Sequence, residues 1–315
     1  MKARITVALV LLSIALGSWK CGVFRTPEPV ASHLTTTQPQ SNDDIEVIWI
    51  GHATALIRLG DTWVLSDPVF NERIGLVYKR YVEPGRTIEE LPALDAILLS
   101  HPHLDHLDAD SLRKIVARNP KVPIVGTANT LKHLPDDLKA NAVRIKTWEN
   151  TRVGSLRISS VPAHHGNGRW IVDGIWNHKS AAGFVLEEKG HTVYFAGDTG
   201  YHSQSFKDIG QRFKIDVAIL PVGPAGRPEW VHSLRKSVHA SPKDAMRMFD
   251  DLQADYMVPV HFGTFFKPRS EEIADIESAI AESALASNVA LLSAGESVVF
   301  QRSDHCPPKL SCMMR

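Results

Sequence analysis

Hydrophobic and polar positions follow two rhythms along this chain. Residues 46–50, 54–59 and 62–66 are short β-rich runs separated by turn residues, and Gly60-Asp61 between the last two is a hairpin signal. The hairpin delivers Asp67-Pro68, where Pro68 stops the strand. Residues 95–99 form a continuous apolar run bounded by polar residues, the pattern of a buried strand. Helical and strand-like runs then alternate. Residues 110–118 carry Leu112, Ile115 and Val116 at helical spacing, 122–125 read as a strand and 128–134 as a short helix. Strands are predicted at 156–161, 191–196, 216–222 and 256–260. A helix over 203–213 puts Phe206, Ile209 and Phe213 on one face. Another starts at Ser241 as N-cap, with Pro242 at N1 and Asp244 in the first turn. A helix over 270–285 and strands at 288–292 and 297–301 close the chain. Residues 71–90 show no period, and long connections of this kind are often functional. An antiparallel start followed by β-α alternation predicts an α/β fold.

The two ends read differently. Lys2 and Arg4 precede an apolar run over 5–16, shorter than the ~20 residues of a membrane span. A charged start, a short apolar stretch and the small residues around Ala15 and Gly17 predict a signal peptide within 1–21, with an uncleaved anchor as the rival. Trp19 and Lys20 before Cys21 argue against a lipidated cysteine. Residues 22–44, rich in Pro, Thr, Ser and Gln, read as a linker, 45–303 as the folded domain and 304–315 as a tail. The expected location is therefore exported or membrane-anchored. Cys306 and Cys312 in the tail are as readily bridged as free. The 315 residues, 43% of them hydrophobic, suffice for a large core. Acidic and basic residues balance at 35 each, so no overall basic field favours nucleic acid.

The candidate chemistry is concentrated where the 95–99 run ends. His101-Pro102-His103-Leu104-Asp105-His106 places three imidazoles and a carboxylate on one loop at a sheet edge. These are the ligand types that zinc and similar ions prefer. Alternation puts His101 and His103 on one side, leaving Asp105 and His106 for a second ion. Further histidines and a carboxylate follow other strands: His164-His165 after 156–161, Asp198 between Gly197 and Thr199-Gly200, and His261 after 256–260. A carboxylate flanked by glycines can approach an ion pair without side-chain obstruction. His52 is either pocket-lining or structural, and His239 lies within reach of the pocket. Trp170, Trp176, Trp230, Phe262, Phe265 and Phe266, close in sequence to these loops, are candidates for an apolar wall.

The loop over 100–108, together with Trp49 to Thr54, Ser66-Asp67-Pro68, Phe195 to Tyr201 and Val260 to Phe265, resembles the metallo-β-lactamase superfamily. Within it, the wording is similar to the N-acylphosphatidylethanolamine-hydrolysing phospholipase D branch and its bacterial relatives. The resemblance implies a four-layer αβ/βα sandwich with two facing mixed sheets, and it implies that Asp67 sits behind the site, orienting a ligand histidine. It implies one zinc on His101, His103 and His165, with His165 favoured over His164, and another on Asp105, His106 and His261, bridged by Asp198. Iron and manganese accept the same ligands. The implied activity is phosphodiester hydrolysis of a phospholipid by a metal-bridging hydroxide, with Asp105 handling the proton of the leaving group. A lactonase or other acyl hydrolase, and a non-catalytic metal-binding protein, remain alternatives. The basic pair that follows the third histidine in the animal phospholipases is replaced by Gly166 to Arg169, which leaves the lipid pocket open. The expected partners are a phospholipid or small ester and a membrane surface.

Overall fold

A computed structural model describes residues 25–30, 44–75, 78–166, 169, 181–223 and 238–301. The predicted signal or anchor over 1–21, most of the linker, Cys21, Cys306, Cys312, Trp170, Trp176 and Trp230 lie outside them. Among the described residues no helix is long and apolar enough to cross a membrane.

The antiparallel start is β1 (Ile45–Gly51), β2 (Thr54–Leu59) and β3 (Thr62–Ser66). A small hairpin, β4 (Arg73–Ile74) with β5 (Tyr78–Lys79), interrupts the irregular stretch. Then come β6 (Ala96–Leu99), α1 (Ala109–Arg118), β7 (Ile124–Gly126), α2 (Ala128–Leu131) and β8 (Ala142–Arg144). These strands form a seven-stranded sheet in the order β15-β1-β2-β3-β6-β7-β8, where β15 is Ser297–Phe300 at the far end of the chain. The second sheet uses β9 (Asn150–Val153), β10 (Leu156–Pro162), β11 (Ala182–Glu188), β12 (His191–Phe195), β13 (Val217–Pro221) and β14 (Tyr256–Val260), in the order β14-β13-β12-β11-β10-β9. Each sheet mixes antiparallel and parallel pairs; β12, β13 and β14 run parallel.

Alternation along β1 explains the layers. Val47 and Trp49 face the second sheet in one large core, which also contains Ile57, Leu98, Ile158, Phe184 and Val258. Ile48 and Ile50 face outward, packing with Leu112 and Ile115 of α1. Buried on both faces, such strands read as near-continuous apolar runs. On the far side of the second sheet lie α3 (Ser203–Arg212), α4 (Pro242–Leu252) and α5 (Arg269–Ala281), contributing Phe206, Ile209, Phe249, Leu252 and Ile276. The result is the expected helix–sheet–sheet–helix sandwich.

The helix at Ser241 forms as its sequence dictates. Asp244 N donates to Ser241 Oγ at 3.0 Å and Ser241 N donates to Asp244 Oδ2 at 3.2 Å, a reciprocal capping box. Ser241→Ala should lower stability by about 1 kcal/mol. Urea unfolding with an unchanged m-value is the check; an unchanged midpoint would refute the cap's contribution.

One expected strand is absent, and several unexpected ones, β8, β9 and β11 among them, are present. Residues 288–292 are not a strand: a 3-10 turn over Ala286–Asn288 leads to a single bridge between Val289 and Met257. Beyond that bridge the partner strand presents Pro259, which has no N–H to extend a ladder, and Arg269 Nη1 donates to Leu292 O at 2.8 Å. Conversely, β11 occupies the middle of its sheet although its start, Ala182-Gly183, has little strand propensity. Gly183 is required there, because a Cβ would lie 2.9 Å from the Tyr194 ring.

Candidate metal centre

The site lies where carboxyl ends of strands from both sheets converge, as is general for α/β sheets. Gly51 of β1 leads to His52, Ser66 of β3 to Asp67 and Leu99 of β6 to the histidine loop. From the other sheet, β10 leads to His165, β12 to Asp198 and β14 to His261. The chain turns sharply at these points. His52 (φ 54), Asp67 (φ 34) and His261 (φ 67) all occupy the left-handed region without being glycine. Each such residue costs about 1–2 kcal/mol, a strain that persists only where the surroundings impose it. At Asp67 the imposing group is Thr54, whose Oγ1 donates to Asp67 O at 2.7 Å and accepts from Val69 N at 3.1 Å. The histidine loop is held at both ends. Asp108 caps α1, accepting from Asp110 N at 3.1 Å and Ser111 Oγ at 2.9 Å. Arg169 Nη1 donates to Pro102 O at 3.1 Å and Leu107 O at 3.2 Å.

One cluster joins His101, His103 and His165. His101 Nε2 lies 2.8 Å and His165 Nε2 3.1 Å from His103 Nδ1. Their outer nitrogens settle the tautomers. His165 Nδ1 donates to Val238 O at 2.5 Å, leaving a lone pair on Nε2. Asp67 arranges the rest. Ser100 N and Ser100 Oγ donate to its two carboxylate oxygens at 2.8 and 2.5 Å, so Ser100 Oγ is left to accept from His101 Nδ1 at 2.9 Å. His106 Nδ1 donates directly to Asp67 Oδ2 at 2.7 Å. Asp67 therefore orients two histidines, one more than the sequence suggested.

The other cluster joins His52, Asp105, His106 and His261. Asp198 spans both: Oδ1 is 3.1 Å from His261 Nε2, while Oδ2 is 3.4 Å from His106 Nε2, 3.8 Å from His165 Nε2 and 3.6 Å from His239 Nδ1. Gly197 permits this approach. It has φ +60, and a Cβ there would lie 2.5 Å from the Ser100 Cβ. His164 points elsewhere, its Nε2 2.7 Å from Ser205 Oγ, so the structure turns His165 and not His164 into the cluster.

The electrostatics fit a cation. Burial lowers His101 well below its ordinary value, brings His165 down to about 4 and His52 to about 3, so these rings are neutral at pH 7. Neutral imidazole is the form that binds metal. Burial also favours a neutral His106, but the Asp198 and Asp105 carboxylates outweigh it and push that ring well above its ordinary value. An ion at Nε2 would replace this proton. His106 Nε2, Asp198 Oδ1 and both nitrogens of His261 are buried and make no hydrogen bond. Such atoms cost about 1–3 kcal/mol each unless something binds them. The seven residues marked from sequence thus come together as a His/Asp cluster able to bind metal ions. His52 and His239 join them. Their only sequence signal was position: one follows a strand-ending glycine, the other precedes a helix cap.

The beta-lactamase superfamily domain profile matches residues 62–262. The chain is similar to N-acyl-phosphatidylethanolamine-hydrolyzing phospholipase D 1 of Caenorhabditis elegans, 32% identical over 74% of this chain and 68% of that protein. It is also similar to the mitochondrial enzyme of the same name from Saccharomyces cerevisiae, 31% identical over 69% of this chain; it spans about half of that protein, 47%. Among solved structures, a possible metal-dependent hydrolase from Veillonella parvula superposes with a TM-score of 0.63 at 20% identity, over 81% of this chain and 98% of that one, which shows the shared fold. With the fold, the cluster and the profile in agreement, the chain belongs to the metallo-β-lactamase superfamily of metal-dependent hydrolases.

Proposed function

We propose that this chain is a two-ion phosphodiesterase of phospholipase D type, acting on N-acylphosphatidylethanolamine-like lipids. The observation that carries the proposal is the pair of imidazole clusters joined by Asp198. The activity for which the nematode and yeast relatives are named supports the substrate class. In this reading His101, His103 and His165 hold one ion, Asp105, His106 and His261 the other, and Asp198 serves both. Zinc suits this nitrogen and oxygen set, as do iron and manganese. Two such ions, when bound, supply Lewis acidity toward a phosphoryl oxygen and acidify a coordinated water.

The chain's own residues supply proton transfer and binding. Burial favours a neutral Asp105 carboxyl, but His106 and His52 outweigh it and hold the group below the usual carboxylate range. Asp105 is therefore ionised at neutral pH and only weakly basic; in this reading it relays a proton from water to the departing alcohol without holding it. Beside it stands an aromatic face: the Phe266 ring is 5.8 Å from that of His52, and Tyr78, 41% exposed, lies 5.4 Å beyond Phe266. Phe265 is not part of this face. It is buried with Val69 and Ile74, under the Arg80 guanidinium. A charged then apolar start over 2–16 and a linker over 22–44 support an exported or anchored enzyme beside a bilayer, where such lipids lie.

Each buried CH₂ of an acyl chain is worth about 0.8 kcal/mol. The expected result is that kcat/KM on phosphodiesters rises with acyl length, and that Phe266→Ala flattens the rise without changing metal content. Steady-state assays of the metal-loaded protein on diesters and lactones decide it. Lactones turned over while long-chain diesters stay untouched would replace the phospholipase reading with an acyl-hydrolase one.

A further inference from the structure

We infer that His52 is a positioning residue for the second ion, locking Asp105 through its ring and His261 through its main chain. The inference rests on the two-ion reading above. His52 Nε2 lies 3.0 Å from Asp105 Oδ2. An ionised carboxylate has no proton to give, so the imidazole donates and Nε2 keeps no lone pair for an ion. That separates His52 from the residues around it, although its atoms fall in the same group. Meanwhile the His52 carbonyl accepts from His261 N at 2.9 Å and from Trp49 Nε1 at 2.9 Å. Its amide donates to Thr264 Oγ1 at 2.9 Å. The two rings face each other with centroids 3.9 Å apart.

These bonds connect three pieces of chain far apart in sequence. His52 follows β1 in one sheet, His261 follows β14 in the other, and Asp105 lies on the loop after β6. A movement of His52 would shift two of the three residues assigned to the second ion and neither His101 nor His165. The backbone conformation is compatible with this role but does not select it. His52 sits at φ 54, in the left-handed region where glycine, asparagine, aspartate and histidine are all enriched, and its ring is buried. What singles out the imidazole is its Nε2 bond to Asp105.

Two amide variants separate reach from shape. His52→Asn suits the left-handed backbone but is too short to reach Asp105. His52→Gln keeps an N–H donor at about the distance of Nε2. The measurement is zinc stoichiometry and affinity by competition with a chelator, alongside thermal melting of the metal-free proteins. Wild type should bind two zinc ions. His52→Asn should hold one normally and bind the second about 10- to 100-fold more weakly, the usual effect of losing a partner that orients a ligand. His52→Gln should recover most of that loss. Wild-type affinity for both ions in His52→Asn overturns the inference, and so does a His52→Gln as weak as His52→Asn. A wild type that binds fewer than two ions instead sinks the two-ion reading on which the inference rests. Melting temperatures that fall equally in both variants, with zinc affinities unchanged, reduce His52 to a corner residue.

Discussion

Asp198→Ala is expected to lower kcat/KM by at least about 10²–10³-fold, the scale of removing one preorganised charge from an active site, and to loosen both ions together. The reason is its place between the clusters. One carboxylate oxygen reaches His261, and the other lies between His106 and His165. In the reading above every other ligand is assigned to a single ion. Burial favours a neutral Asp198 carboxyl, but His261 and His106 overcome it and hold the group well below the usual carboxylate range, so it is ionised at neutral pH. Without it, Asp105 remains beside His106 and His261, but no carboxylate lies between His106 and His165. Asp198→Asn, which keeps the shape, should behave like alanine in metal binding. Metal analysis beside steady-state kinetics reads the result. Loss of a single ion, or retention of activity, would show that Asp198 does not join the two sites.

Asp67→Ala should be the most destabilising change in the site. Breaking a buried hydrogen-bonded charge pair costs about 3–5 kcal/mol. Asp67 is fully buried and receives His106 Nδ1, Ser100 Oγ and Ser100 N. Burial raises its carboxyl above the ordinary value, and these donors limit the rise. The more telling variant is Asp67→Asn. Its amide can still accept from Ser100 N, but its NH₂ then meets His106 Nδ1, which can accept only without its proton. The neutral ring would then carry its hydrogen on Nε2, the atom that an ion needs bare. Second-ion affinity should fall about 10- to 100-fold, with less effect on stability than alanine. Ser100→Ala should disturb only the His101 branch. Urea unfolding of the metal-free chain and zinc competition measure the two effects separately. Equal zinc affinities in Asp67→Asn and wild type would remove Asp67 from its orienting role.

Most of this architecture was legible in the chain itself, because period and punctuation are local. Three β-rich runs with Gly60-Asp61 between two of them, an apolar run ending in histidines, and Ser241-Pro242 ahead of an amphipathic stretch each carry their own signal. The strand at β11 escaped notice because its place is set by partners on both sides and by the Tyr194 ring over Gly183. The apolar residues at 289–292 read as a strand, and they are buried as one would be. No ladder forms because the strand they meet offers Pro259, which has no N–H, beyond the Met257 bridge.

For the site, sequence determined which residue types end which strands. His101, His103, Asp105, His106, His165, Asp198 and His261 were all marked by residue chemistry and family resemblance before their positions were known. Tertiary structure alone decided how they are held. Asp67 reaches His101 because β3 runs parallel to β6, with Ser66 beside Leu98, which sets Asp67 next to Ser100. His165 faces inward because Val238, distant in sequence, takes its outer proton. His52 meets Asp105 and His261 only because two sheets stack with their strand ends together. Side-chain type is written in the chain, whereas the partner of each ring nitrogen depends on contacts between residues far apart in it, and those exist only once the sheets have packed.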